Sequence, residues 1–404
     1  MWAMGRKLLK KGYVMAAGAC GLAGALTIAS FAAPNRASAA TQTYVPDDAA
    51  TIVAHVPQRD PKEIAERQAL AAAPDRVELA VDLAREEIQR ARSLSDPRYL
   101  GRAQALLARW WNQPSPPADV LLLRATIEQS LHQFDASRAD LDKLLAERPD
   151  DAQAHLTRAV VATVRADYPA ARESCAALRK LASPLVAATC EAPLEALAGD
   201  VDGAYHRLAA SIDTRSPASL RTWAMTTLAE LAIQKGDDAL AASHLERVLS
   251  LDPDDTYARA ALADALLPTD PAAASQLLTG YEQIDTLLVR RAIAESRAHG
   301  PEAAKLATMM RDRFAAAKER QDRVHLREEA MFVLYVESDA ARALEIARDN
   351  WFVQKELADA RLLAYAAVEA RNAAAAQPVI DWARSTGVRD ARLEASLVRL
   401  GGMQ

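Results

Sequence analysis

The residues with the chemistry to hold a metal or break a bond are few and scattered. Seven histidines stand at positions 55, 132, 155, 206, 244, 299 and 325, none four residues from another, and no His-Glu-x-x-His run occurs. Zinc requires three or four N, S or O donors brought together, often announced by such short spacings. Of the three cysteines, Cys20 lies near the N-terminus, and Cys175 and Cys190 lack Cys-x-x-Cys spacing. There is no Gly-x-Ser-x-Gly elbow, no Cys–His pair that stands out, and neither of the glycine-rich loops that cradle phosphates. Adjacent carboxylates at Glu86-Glu87 and Glu328-Glu329 fall on helical patterns, where a solvated charged face is the ordinary explanation. These residues predict no catalytic centre, no metal site and no cofactor. The expectation is a chain that is not an enzyme.

The remaining sequence is built for helices. Half of the 404 residues are hydrophobic, while 5% are aromatic and 14 are Gly. Most of the hydrophobic residues are Ala and Leu, which favour helix, and the β-branched and aromatic residues that favour strands are thin. A chain of this length would ordinarily divide into two or three domains. A repeat array is the alternative, because each unit needs only its neighbours to bury its apolar face. The composition favours the array.

Residues 1–39 read as an export leader. Arg6, Lys7, Lys10 and Lys11 precede an uncharged run from Gly12 to Ala33, and Ala37-Ser38-Ala39 has the small-x-small pattern of a processing site. Cleavage after Ala39 would place the rest in the periplasm. The alternative is a retained anchor, since the run is long enough to cross a bilayer with its basic flank on the cytoplasmic side. Membrane association is expected only in that case. A lipoprotein reading at Cys20 is weaker, with Ala17 where Leu is usual. Without residues 1–39 the charge falls from −5 to −10, with 44 basic against 54 acidic side chains. Phosphate backbones need clustered Lys and Arg, so nucleic acid is not an expected partner. Residues 40–61 contain Pro and Asp without periodicity and read as a spacer.

The clearest order starts at Ala118. Two helical patterns separated by Gln133-Phe134-Asp135 end at Pro149, and the next unit starts 34 residues later at Ala152. Another pair runs from Thr222 through Lys235-Gly236-Asp237 to Pro253, and its neighbour starts at Thr256, again 34 residues on. Small residues recur where two helices must cross closely: Ala125, Ala159, Ala229 and Ala263 in first helices, Ala171, Ala204 and Ala241 in second helices. Leu228, Leu262, Leu141, Leu208 and Leu245 fill the neighbouring seam. In these respects the chain resembles the tetratricopeptide repeat family. The resemblance is specific from Ala118 to Leu278 and looser over 281–404, and a further helix pair precedes it in 62–117. Arg124 and Arg158 depart from the family pattern, where Leu is usual, and Ser183 replaces the closing Pro. About nine hairpins and a terminal helix from Asp390 to Leu400 are expected.

The resemblance implies an all-α, right-handed superhelical solenoid whose first helices line a concave groove for protein partners. On the family's pattern the groove-facing residues are Leu122, Thr126 and Gln129, then Leu156, Val160 and Thr163, then Trp223, Thr226, Glu230 and Ile233, and finally Tyr257 and Asp264. The Lys and Asn with which some members clamp a C-terminal carboxylate are absent: Leu122 and Thr126, or Leu156 and Val160, stand there. Trp223 and Tyr257 either anchor a partner or pack between repeats, and Trp110-Trp111 staple the N-terminal hairpin or form an exposed docking site. The family's packing brings the helices of Cys175 and Cys190 together, so the two are either a disulfide or two buried thiols. The partner's identity and the oligomeric state are not legible in these residues.

Overall fold

A computed structural model describes residues 60–319 and 325–403. The expected leader, and nearly all of the expected spacer, lie outside the described residues. Within them the chain forms 21 α-helices and one short 3₁₀ turn, and no strand. A single helix α1 (Pro61–Ala72) precedes α2 (Val77–Ser93), which pairs with α3 (Arg98–Leu106) and its short continuation α4 (Ala108–Trp111). Eight further hairpins follow: α5 (Ala118–Ser130) with α6 (Phe134–Glu147), α7 (Ala152–Val164) with α8 (Tyr168–Leu181), α9 (Pro184–Leu197) with α10 (Val201–Ser211), and α11 (Ala218–Lys235) with α12 (Asp238–Leu251). Then come α13 (Thr256–Leu266) with α14 (Pro271–Leu277), α15 (Asp285–Ala298) with α16 (Ala303–Glu319), α17 (Leu326–Tyr335) with α18 (Ala340–Val353), and α19 (Leu357–Glu369) with the turn Ala373–Ala376 and α20 (Gln377–Thr386). Helix α21 (Ala391–Gly401) closes the stack against α19 and α11.

Local chemistry sets the starts of these helices. Aspartates at 151, 167, 200, 237, 255, 270, 339 and 390 each accept a backbone N–H from the first turn of the helix that follows. Such caps satisfy donors that the helix itself leaves unpaired and contribute about 1 kcal/mol each. Ser183, the departure from the closing Pro, caps α9 through the N–H of Val186.

Packing follows the alternation of small and large side chains. Ala125, Ala171, Ala204, Ala241 and Ala263 have no exposed surface, and the same holds for Leu141, Leu208 and Leu245. Alanine at the crossing lets two helix backbones approach, and leucine fills the space beside it. The units read as loose in the sequence use the same device: Ala292, Ala330, Ala343 and Ala364 are fully buried. One apolar cluster runs without a break from Ala260 of α13 to Leu400 of α21. The structure also joins Cys175 of α8 to Cys190 of α9 by a disulfide, with sulfurs 1.97 Å apart.

The two departures at Arg124 and Arg158 are ion-paired. Arg124 reaches Asp140 of α6 and the Trp111 carbonyl. Arg158 reaches Asp142, Glu173 and the Ser174 hydroxyl. The solvated-face expectation fails for Glu87 and Glu328, which are 1% and 8% exposed. Glu87 is drawn in by Arg67 and Arg90, which also hold Glu63. Glu328 lies beside His325, with Arg290 and Arg327 close enough for their charges to act on it.

The stack coils far enough to touch itself. The Trp382 indole N–H donates to the Tyr168 hydroxyl at 2.7 Å, across 214 residues. The Lys355 N–H donates to the Val164 carbonyl at 2.8 Å, and Arg165 to the Val353 carbonyl at 2.8 Å. Gln234 donates to the Arg389 carbonyl, and Arg392 pairs with Asp238, both across about 155 residues. At Gly199, with φ of +96°, a Cβ would stand 3.0 Å from the Gly387 carbonyl oxygen, so a side chain there would strain the backbone and press the two turns apart by a few tenths of an ångström. The hairpin turns of α7–α12 thus form a seam with the segment 353–392.

Candidate functional site

The twelve expected groove residues fall on the first helices of their hairpins, as the repeat requires, but none is exposed. Thr126, Leu156, Trp223, Thr226 and Ile233 are buried, and the other seven are half-buried. Leu156 and Trp223 share one apolar cluster, so Trp223, 6% exposed, packs between repeats. Leu122 lies in another cluster with Val353 of α18, across the seam. Thr126 and Thr163 return their hydroxyls to the carbonyls of Leu122 and Ala159, four residues back. Tyr257 donates its hydroxyl to Glu230 of the preceding first helix. Asp264 accepts Arg290 in a two-pronged pair, at 2.9 Å from Nε and 2.8 Å from Nη2. Packing between hairpins and across the seam thus takes up part of the expected groove wall.

The inner wall is polar along one line. After Asp264–Arg290, Arg327 of α17 grips Asp359 of α19, with Nε 2.6 Å from Oδ1 and Nη2 2.8 Å from Oδ2, and also reaches Glu356. Asn350 and Gln354 add their amides to Asp359. Arg361 of α19 then grips Asp390, the cap of α21, at 3.1 Å from both carboxylate oxygens. Each arginine binds the acid of a neighbouring first helix, so the pairs form a ladder along the inner wall. The partners lie 26, 32 and 29 residues apart, close to one repeat, and that spacing is the sequence signal by which they could have been found.

Burial acts on the charges that this ladder does not absorb. It pushes the Glu230 carboxyl up to about 7, even though the Tyr257 hydroxyl works to lower it, and Glu356 and Arg361 are close enough to contribute. It pushes the His132 imidazole, in the turn after α5, down to about 4, assisted by the positive charge of Arg327. Burial also raises Glu128 to about 7, with the charge of Asp140 adding to it. For Arg327 the desolvation is outweighed by Asp359 and Glu356, which hold its guanidinium well above the ordinary value.

Outside this wall, a cleft of about 360 Å³ lies at the N-terminal end, between Arg67, Leu70, Pro74, Leu106, Arg109 and Trp110. Trp110 is 8% exposed and packs with Leu123 and Ile127 of the next hairpin, and Trp111 packs against the same cluster. Among the described residues no group of three or more His, Cys, Asp or Glu is placed to hold a metal ion. Among them also, no helix is long and apolar enough to cross a membrane.

The class of architecture follows from these hairpins themselves: an all-helical solenoid of tetratricopeptide type, with first helices lining the inner wall. No family model matches the chain, and no curated protein does. Among solved structures, it is similar to the hetero-tetramer Cut9–Hcn1 of the APC/C at 10% identity, over 84% of this chain and 86% of that one, with a TM-score of 0.37. Yeast Tom70 aligns at 11% identity over 84% and 90%, with a TM-score of 0.32. The tetratricopeptide domain of P58(IPK) aligns at 16% identity over 84% and 92%, with a TM-score of 0.23.

Proposed function

We propose that this chain is an exported scaffold or adaptor that holds protein partners in the bacterial periplasm, in the service of an envelope assembly, secretion or transport system. The observation that carries the reading is the inner wall. The nine hairpins of the described residues carry first helices whose half-buried inward side chains are neutral to apolar at Leu122, Val160 and Thr163 and include the charges Glu230 and Asp264 further along. Such a wall suits an extended segment of a protein partner, gripped through many small contacts. The basic leader and its Ala37-Ser38-Ala39 site support export, and a disulfide between Cys175 and Cys190 suits an oxidising compartment.

A photoreactive residue placed in turn at Val160, Thr163 and the exposed Arg138 tests this in intact envelopes. A protein crosslinked from Val160 and Thr163 but not from Arg138 is the expected result. Equal capture from all three, or none from the inner positions, would count against the groove. A second reading, a membrane-anchored subunit of an inner-membrane complex, is favoured by the uncharged run from Gly12 to Ala33. N-terminal sequencing separates the two, since an N-terminus at Ala40 removes the anchor.

A further inference from the structure

The seam differs in kind from the interfaces between successive hairpins. Those interfaces are built around apolar clusters in which Leu141, Leu208 and Leu245 have no exposed surface. Across the seam a set of polar contacts joins hairpin turns, Lys355 to Val164, Arg165 to Val353, Gln234 to Arg389, Arg392 to Asp238, and Trp382 to Tyr168, with apolar packing confined to single side chains such as Leu122 on Val353 and Ala166 and Leu197 at the edge of the C-terminal cluster. A hydrogen bond at an edge is readily exchanged for one to water, so its net contribution is small, whereas opening an apolar layer exposes its whole area. The seam is therefore the interface that parts most readily, and local opening in proteins follows such weak boundaries.

What the seam covers is part of the groove. Leu122 packs with Val353 across it, and the Tyr257–Glu230 pair sits on the inner wall with Glu230 close enough to Glu356 and Arg361 for their charges to act on it, one turn from Thr226, which is 5% exposed. In this form those side chains are buried or half-buried. We propose that the seam is a latch: the segment from α18 to α21 closes the groove, and a protein partner reaches it only when the seam parts with the hairpins still folded. The latch regulates the proposed partner groove and rests on that reading for its meaning to a partner, but access can be measured without one.

The test is the modification rate of a cysteine at Thr226 (Thr226→Cys) by a maleimide in the full-length chain, read by mass on the peptide that carries it. With the latch intact this cysteine is expected to react far more slowly than one at the exposed Arg138 (Arg138→Cys). Removing two latch contacts, by Arg165→Ala with Trp382→Phe, is expected to raise the rate by roughly tenfold or more, as for loss of two or three hydrogen bonds. Amide exchange at Lys355 should rise in parallel, while exchange at Leu228 and Leu245 stays slow. A second variant, Val164→Cys with Lys355→Cys, is designed to join the two sides of the seam by a disulfide and is expected to suppress modification at position 226. The latch is overturned if position 226 reacts as fast as position 138 with the seam intact, or if neither variant changes its rate. It is equally overturned if the rate rises only together with exchange at Leu228 and Leu245, since the protein then unfolds as a whole. Because no partner enters the measurement, its failure leaves the crosslinking result standing, and the reverse also holds.

Discussion

Arg327 and Asp359 meet face to face between α17 and α19, two nitrogens of the guanidinium on two oxygens of the carboxylate, and the Asp359 side chain has no exposed surface. A charge so enclosed depends on its partner. Arg327→Leu is expected to destabilise by about 3–5 kcal/mol, because it leaves Asp359 desolvated with only neutral amides beside it. Arg327→Leu with Asp359→Leu should recover much of that loss. Urea denaturation followed by circular dichroism reads both, and a loss below about 1 kcal/mol in the single variant would mean that the pair is solvated in practice.

Arg124 and Asp140 make the same case at a position where the repeat ordinarily carries Leu. Asp140→Ala alone is expected to cost about 3 kcal/mol, since Arg124 stays 8% exposed and keeps only the Trp111 carbonyl. Arg124→Leu with Asp140→Leu returns the hairpin to the family's apolar pattern and should lie within about 1 kcal/mol of the parent protein. The melting temperatures of the three proteins decide it.

The bridge from Cys175 to Cys190 closes a short loop of 15 residues between adjacent hairpins. Alkylation without reductant should label neither cysteine in the native protein, and two labelled thiols would sink the bridge. Cys175→Ala with Cys190→Ala is expected to lower stability by about 3 kcal/mol, the chain-entropy value for a loop of this size.

Glu230 and His132 give stability opposite slopes with pH. Glu230 titrates at about 7 in the folded chain against an ordinary 4.5, with burial the main cause, so its charged form is disfavoured by folding. The relative stability it confers is fully present below pH 4.5 and is lost as pH rises through 7. Its removal in Glu230→Gln should flatten the stability profile in that window. His132 is displaced the other way, to about 4 against 6.5, by burial first and then by Arg327. Its contribution is present above pH 6.5 and is lost as pH falls through 4, and His132→Asn should flatten the acid side. Melting temperatures from pH 4 to pH 8 for the parent and both variants would show one slope missing in each.

The hairpins were legible because each is a local event. The 34-residue spacing from Ala118 to Ala152 and the alanines at 125, 159, 229 and 263 encode helix crossing within one or two units. The units after Leu278 looked looser, and there Arg290 and Arg327 bind neighbouring first helices through ion pairs. Their partners, Asp264 on the preceding first helix and Asp359 on the following one, are charged, and hydrophobic periodicity does not register charge. Packing of Trp223 between repeats was one of the two readings of that residue, whereas the covering of Leu122 by Val353 was not legible at all. It depends on how far the coil turns, a sum of small rotations per hairpin, and it places Tyr168 against Trp382 from the far side of the chain.

The seam also divides the folding of this chain into two regimes of contact order. Hairpin contacts link neighbours in sequence, and chains dominated by such contacts fold quickly, with nucleation open to any adjacent pair of units. Contacts such as Tyr168 with Trp382 span 214 residues, and loop closure on that scale becomes favourable once the intervening hairpins have stiffened the path. The expected order is a rapid stacking of hairpins into an open coil, followed by a slower closure that leaves far-ultraviolet circular dichroism nearly unchanged and quenches or shifts the emission of Trp382. A chain shortened after Glu369 would complete the first event and omit most of the second, so that the open coil becomes its resting form.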